Sequence, residues 1–327
     1  MRKWLCGVLA IAAVVAFGSC ACAEWKFDRK IQLVCPWGAG GGADSTLRPL
    51  AANLKKVLDV DVEVVNVTGR SGVEGVEYTY NQPADGYTFM LGTQSIIMED
   101  LQGETSMDFK TEFVPVVKIV HSVNIIAASR RGLVAKSCRT FPELVAYAKE
   151  NPNVVKAGML TAMGVDDVSL RQSLEGLEIE EIPYDDGMTM NADLVKGRID
   201  IIITGLQEIG GLIMSGDLLP ICAVSEKRIK LYPDMVCTGE LGINSYMGPW
   251  RGIFAKKGTP QEAIDALAAA VEKAVNTPAW QDFLRMSAYD ERPGYAAPAD
   301  FAKLFDDEYA SLTTYLKEKG LLKKEYK

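Results

Sequence analysis

Short β-prone apolar runs alternate with capped amphipathic helices from residue 31 onward, and no other feature constrains the fold as tightly. Strand-like runs lie at 31–36, 61–66, 88–92, 114–120 and 124–129, then at 155–158, 179–183, 199–204, 221–225 and 252–255. Between the first two, Asp44 or Ser45 is placed to cap a helix in which Leu47, Leu50, Ala51, Leu54, Val57 and Leu58 recur at helical spacing. Thr140 and Glu143 form a capping box ahead of a helix reaching about Glu150. Thr259 and Glu262 form another, with Pro260 at the first helical position, and helix runs almost to the end. Strands alternating with helices predict α/β architecture with parallel sheets.

The first 23 residues stand outside this pattern. Arg2 and Lys3 precede an uncharged apolar run from Trp4 to Phe17, and Ala21, Cys22 and Ala23 form a cleavage pattern before Glu24. The run is shorter than the roughly 20 residues a membrane-spanning helix needs. An exported protein beginning near Glu24 is expected; lipid attachment at Cys20, in a lipobox-like Phe17-Gly18-Ser19-Cys20, is the alternative. Removing Arg2 and Lys3 takes the net charge from −8 to −10. Such a charge argues against nucleic acid as a partner. The single histidine, His121, excludes a two-imidazole metal site or mechanism. Four cysteines remain, with no zinc spacing. Cys35 and Cys222 read as buried thiols, and export permits a Cys222–Cys237 disulfide.

The strongest local signal follows the first strand: Trp37, Gly38, Ala39, Gly40, Gly41, Gly42, Ala43 and Asp44. Glycines let the backbone approach a ligand, and the helix N-terminus beyond them offers N–H groups and a positive dipole end to an anion. The pattern loosely fits a dinucleotide fingerprint, but the second strand ends at Asn66 and not at the acidic residue a ribose requires. A second glycine-rich loop, Asn66 to Gly75, follows the second strand. Two such loops at one edge of a parallel sheet suggest a cleft at the strands' carboxyl ends.

These residues resemble the bacterial extracytoplasmic solute receptors of the tripartite tricarboxylate transporter type, the Bug receptors. The resemblance rests on IQLVCPWGAGGGADSTLRPLAANL, the Asn66, Gly69, Gly72, Gly75 spacing, ADGYTFMLGT, IPYDDGMTMNADLVKGRIDIII and GPWRGIFAKKGTPQEAIDAL, in that order. It implies a two-lobed, Venus-flytrap fold, each lobe a mostly parallel sheet flanked by helices. Lobe one would be residues 24–121 with 252–327 and lobe two residues 122–251, joined by two crossovers acting as hinges. The implied function is capture of a small organic carboxylate in the interlobe cleft, for delivery to membrane permease subunits from the periplasm. A monomer without cofactor, metal or catalytic residue is expected. A sensing subunit for a signalling partner and an exported enzyme on the same fold are the other roles left open.

The implied ligand site takes the eight residues Trp37 to Asp44, with Arg70, Ser71, Gly72 and Thr93, from lobe one. From lobe two it takes Thr161, Ala162, Met163, Gly164, Tyr184, Asp185, Asp186 and Thr204. The chain departs from the family pattern in four places. Val67 replaces an arginine that Arg70 could restore. The segment 158–167 lacks the usual Ser-Pro-His. Asp185 and Asp186 replace Lys-Gly. Trp37 replaces Phe or Tyr. The segments 161–166 and 184–188 are therefore expected to set selectivity. Asp185 and Asp186 read either as a solvated turn with a helix cap or as partners for an amine beside the ligand's carboxylate. His121 falls at the first crossover, and Met159 and Met163 read as pocket wall or core.

Overall fold

The computed structural model describes residues 25–160 and 164–326. The leader, with Cys20 and its lipobox, and Thr161, Ala162 and Met163 lie outside the described residues. The chain begins with strand β1 (Ile31–Cys35), helix α1 (Gly42–Leu58), β2 (Val62–Asn66), α2 (Val73–Tyr80), β3 (Thr88–Gly92), α3 (Gln94–Leu101), α4 (Phe109–Glu112) and β4 (Phe113–His121). It continues with β5 (Asn124–Ser129), α5 (Leu133–Ser137), α6 (Phe141–Glu150), β6 (Lys156–Met159), α7 (Val165–Ser173), β7 (Glu180–Pro183), α8 (Gly187–Lys196), β8 (Ile201–Gly205), α9 (Leu206–Met214) and β9 (Leu218–Val224). Last come β10 (Trp250–Lys256), α10 (Gln261–Val275), α11 (Pro278–Met286) and α12 (Pro298–Glu318).

The strands form two five-stranded sheets, ordered β2-β1-β3-β10-β4 and β7-β6-β8-β5-β9. Four strands of each sheet run the same way. The fifth, β10 in one and β5 in the other, is antiparallel to both neighbours. The two sheets are thus mixed, and the reason is topological. β4 leaves the first sheet and the chain re-enters as β5 in the second; β9 leaves the second and the chain returns as β10. A strand arriving from the other sheet starts at the edge where its neighbours end, so it must oppose them. The two crossovers run side by side, with Ser122 N–H donating to Pro249 O at 3.0 Å. Arg292, between α11 and α12, straps them: its Nη1 lies 3.3 Å from His121 Nε2 at the first, and its Nη2 donates to the carbonyls of Val224 (3.0 Å) and Tyr246 (2.6 Å) on the second.

Both sheets are covered on both faces, which is why their strands read as continuous apolar runs. Leu47, Leu50 and Leu54 of α1 pack with Leu267 and Val271 of α10 on one face of the first sheet. Ile97 of α3 and Phe301, Phe305 and Tyr309 of α12 cover the other. In the second sheet Phe141 and Leu144 of α6 lie on one face, and Met190, Leu194 and Ile209 on the opposite one. Val165 and Val168 of α7, which follows a strand of the second sheet, are buried in a cluster of the first, so the two lobes touch through apolar side chains as well.

Two sequence expectations shift at helix starts. The α1 N-cap is Gly41, with no side-chain hydrogen bond, instead of Asp44 or Ser45. The Thr140–Glu143 capping box forms, whereas α10 starts after Pro260 with no capping side chain, so the box at Thr259 does not. Cys35, Cys138, Cys222 and Cys237 are all buried thiols, with no Cys222–Cys237 disulfide. No helix among the described residues is long and apolar enough to cross a membrane.

Candidate functional site

The carboxyl ends of β1, β3, β6 and β8 converge with the start of β10 and β5, and helices α1, α3, α7 and α9 begin there. Gly42, the first residue of α1, marks the meeting point. A Cβ added to it would lie 2.5 Å from Arg251 Nη2 and 2.8 Å from Gln207 Nε2, and closer still to Glu208 Oε1. These side chains come from β10 of the first sheet and from the first turn of α9 in the second. Only a residue without a side chain lets the two lobes meet so closely.

Arg251 is the buried cation of this site. Its Nη1 donates to Ser122 Oγ (2.8 Å), on the first crossover, and to Tyr289 Oη (2.9 Å). Tyr289 Oη lies 3.0 Å from Thr46 Oγ1, which donates to Gly42 O at 2.7 Å. The relay fixes the guanidinium over the first turn of α1. Its Nε, though buried, has no hydrogen-bond partner. An unpaired buried donor of this kind costs on the order of 1–3 kcal/mol until something accepts from it.

Two carboxyls face Arg251 from the second lobe. Glu208 meets the Gly42 backbone N–H and the Thr204 hydroxyl; burial pushes its carboxyl up from the ordinary range, Arg251 pulls it down, and Asp166 pushes it up again. Asp166, in the first turn of α7, accepts from Asn124 Nδ2 at 2.7 Å; burial raises its carboxyl too, against the pull of Asn124 and Arg251. Asn124, fully buried where β5 begins, and Gln207 each keep a buried side-chain oxygen without a partner. Among the described residues, no group of three or more His, Cys, Asp or Glu side chains is arranged to hold a metal ion.

The glycine loop lies at this meeting point, but its Asp44 carboxylate turns away from it. Asp44 accepts from Gly40 N–H (2.9 Å), Arg48 Nε (2.8 Å) and Asn66 Nδ2 (2.9 Å), which hold its carboxyl below the usual range against burial. Asn66 also donates to Trp37 O at 2.9 Å, so Asp44 and Asn66 brace the two glycine loops against each other. Gly72, with φ of +101°, tucks beneath the Trp37 ring. Gly38 and Gly41 close the turn through Gly41 N–H to Gly38 O, 3.2 Å, while Ala39 is exposed and Ala43 buried.

Other expected residues hold structure. Arg70 does not restore a cleft cation: it pairs with Glu74 (2.8 Å) and Glu77 (2.5 Å) on the helix it precedes. Ser71 bonds the Glu99 carboxyl. Thr93 caps α3 through Ser95 N–H. Gly164 is the N-cap of α7, Tyr184 Oη donates to Asp193 (3.2 Å), and Met159 is buried core. Asp186 caps α8 through Thr189 N–H at 2.8 Å, and Asp185 is exposed beside it. That pair is the capped turn, and the carboxyls that face Arg251 are Asp166 and Glu208. Sequence reasoning named Thr204 but not Arg251, Gln207 or Glu208. Their signals were faint: an arginine inside an apolar strand, and a Gln-Glu pair directly after the buried run of β8.

Comparison with known proteins agrees with this architecture. The model of the tripartite tricarboxylate transporter family receptor matches residues 46–321. Protein BugT of Bordetella pertussis is 28% identical over 299 residues, 89% of this chain and 90% of that protein. A solved structure described as R. palustris Rpa4515 with adipate superposes with a TM-score of 0.82 at 26% identity, covering 90% of this chain and 98% of that one. The structure of periplasmic binding protein BugD superposes at 0.80, with 22% identity, over 91% and 99%.

Proposed function

The chain belongs to the tripartite tricarboxylate transporter receptor family, and from that premise we propose that it is a periplasmic receptor. It captures one small organic carboxylate between lobe one (24–121 with 252–327) and lobe two (122–251), and passes it to membrane permease subunits. It is exported by the leader at 1–23, with lipid attachment at Cys20 as the alternative anchor, and works as a monomer without catalysis. The observation that carries this reading is Arg251: a guanidinium 5% exposed, its Nε unpartnered, fixed over the first turn of α1 where both sheets end. A carboxylate there would meet a charge-assisted donor and the positive end of a helix dipole. The adipate held by the 26% identical relative supports the ligand class.

The test is calorimetric titration of the mature chain, stripped of ligand, with four- to six-carbon organic acids. We expect one-to-one binding of at least one acid, with the acid recovered unchanged. Arg251→Ala should weaken it at least tenfold, about 1.4 kcal/mol. Failure of every acid to bind, or conversion of the acid into a product, would contradict the receptor reading.

A further inference from the structure

We infer that the solute is a zwitterion, and that Asp166, Glu208, Asn124 and Gln207 form a subsite for its ammonium group while Arg251 takes its carboxylate. This rests on the receptor reading above and narrows the ligand it admits.

The first argument is charge. Among the described residues the cleft cluster holds one guanidinium, Arg251, and two carboxyls, Asp166 and Glu208, all in mutual electrostatic reach. Thr161, Ala162 and Met163, which immediately precede α7, carry no charged side chain. With both carboxyls ionised, the site is one positive charge short before any ligand arrives. A dicarboxylate would add two more negative charges in a region partly closed to water, where like charges repel strongly. A zwitterion adds none.

The second argument is hydrogen bonding. Asn124 Nδ2 donates to Asp166 (2.7 Å) and Gln207 Nε2 to Glu208 (3.4 Å). A carboxylate only accepts, so each neighbour fixes which way its amide faces. What remains over is an acceptor in both cases: Asn124 Oδ1 and Gln207 Oε1, buried and unpartnered. The buried donor left over beside them is Arg251 Nε. The cleft thus asks for several N–H donors on one side and one acceptor on the other. An ammonium has three donors and no acceptor, and a carboxylate has the reverse. A dicarboxylate satisfies Arg251 and leaves both amide oxygens bare.

The test uses six-carbon probes matched to the adipate of the relative: adipate, hexanoate, 6-aminohexanoate, norleucine and hexane-1,6-diamine, each titrated into the ligand-free mature chain. We expect at least one of the two zwitterions to bind ten times or more tighter than both adipate and hexanoate. The double variant Asp166→Asn, Glu208→Gln should reduce that preference to threefold or less. If the double variant does not give the wild-type circular dichroism spectrum, Glu208→Gln alone is used, since its amide oxygen still accepts from the Gly42 N–H. Adipate or hexanoate matching the better zwitterion overturns the inference and leaves the receptor reading standing. A zwitterion preference that survives the substitutions overturns the assignment of the subsite. If none of the carboxylate-bearing probes binds, both the inference and the receptor reading fall.

Discussion

Arg251 lies in the first sheet and Glu208 in a helix packed on the second, yet both reach the space directly above the Cα of Gly42, the first residue of α1. One belongs to the strand by which the chain returns to the first sheet. The other belongs to α9, the helix that follows β8 of the second. A side chain at Gly42 would meet Gln207 and Glu208 of α9, so this position reports how closely the two lobes approach.

Gly42→Ala is therefore expected to hold the lobes apart without harming either one. Alanine is the better helix former by up to about 1 kcal/mol, and the atoms its Cβ would strike are side-chain ends of Arg251, Gln207 and Glu208. Small-angle scattering should show a radius of gyration larger than that of the ligand-saturated wild type, and affinity should fall at least tenfold. An unchanged radius and affinity would show that the lobes do not meet at Gly42 in solution.

Asp186→Ala and Asp166→Asn should separate cap from cleft. The first removes the α8 cap and should cost about 1 kcal/mol in urea unfolding with affinity unchanged. The second should alter which ligand is preferred. If Asp186→Ala shifts ligand preference and Asp166→Asn does not, the two carboxylates have been assigned the wrong way round.

His121 should stay neutral well into acid. Burial lowers its imidazole to about 3, with Arg292 and Lys118 adding repulsion and the Gly248 carbonyl opposing them. Its Nε2 lies 3.1 Å from Gly248 O and 3.3 Å from Arg292 Nη1, at the crossovers. A folded pKa below the unfolded value means that the unfolded chain binds the extra proton. The stability is whole above about 6.5 and is lost as pH falls toward 3, by up to roughly 5 kcal/mol. This is the chain's one histidine, so a single imidazole resonance reports it. A midpoint near 6.5 in the folded protein would contradict the burial of this imidazole at the crossover.

Two further glycines should respond in opposite directions. Gly75→Ala would put a Cβ 2.7 Å from Pro36 Cα, where α2 packs beneath the first glycine loop, and should destabilise by about 1–3 kcal/mol. Gly210→Ala, inside α9 with nothing within 4 Å, should stabilise by up to about 1 kcal/mol. Equal effects of the two in chemical denaturation would count against the close contact between α2 and the loop.

The architecture was legible because it is written in local patterns. Period and turn residues placed β3 and β5 to the residue and most other elements to within a few positions. The mixed pairing of β5 and β10 was not, since strand direction follows from where the chain crosses and not from the strand's own residues. The glycine loop was legible as a helix N-terminus at a sheet edge. Arg251, Gln207 and Glu208 were not, because they become a site only when β10 and α9, in different lobes, are brought against Gly42. Asp185 and Asp186 drew attention as a pair in sequence, but side chains adjacent in a turn diverge, and Asp186 spends its oxygens on Thr189. Asp44 misled in a similar way: its position fits a cap, yet Arg48 and Asn66 claim its carboxylate.

The central claim is that a carboxylate binds between the two sheets, held by Arg251 at the start of α1. A crystal structure of the mature chain with its tightest-binding organic acid tests it most directly. The expected result is the ligand's carboxylate within hydrogen-bond distance of Arg251, with contacts from both lobes. An ordered ligand outside the cleft, with Arg251 Nε still unpartnered, would contradict it.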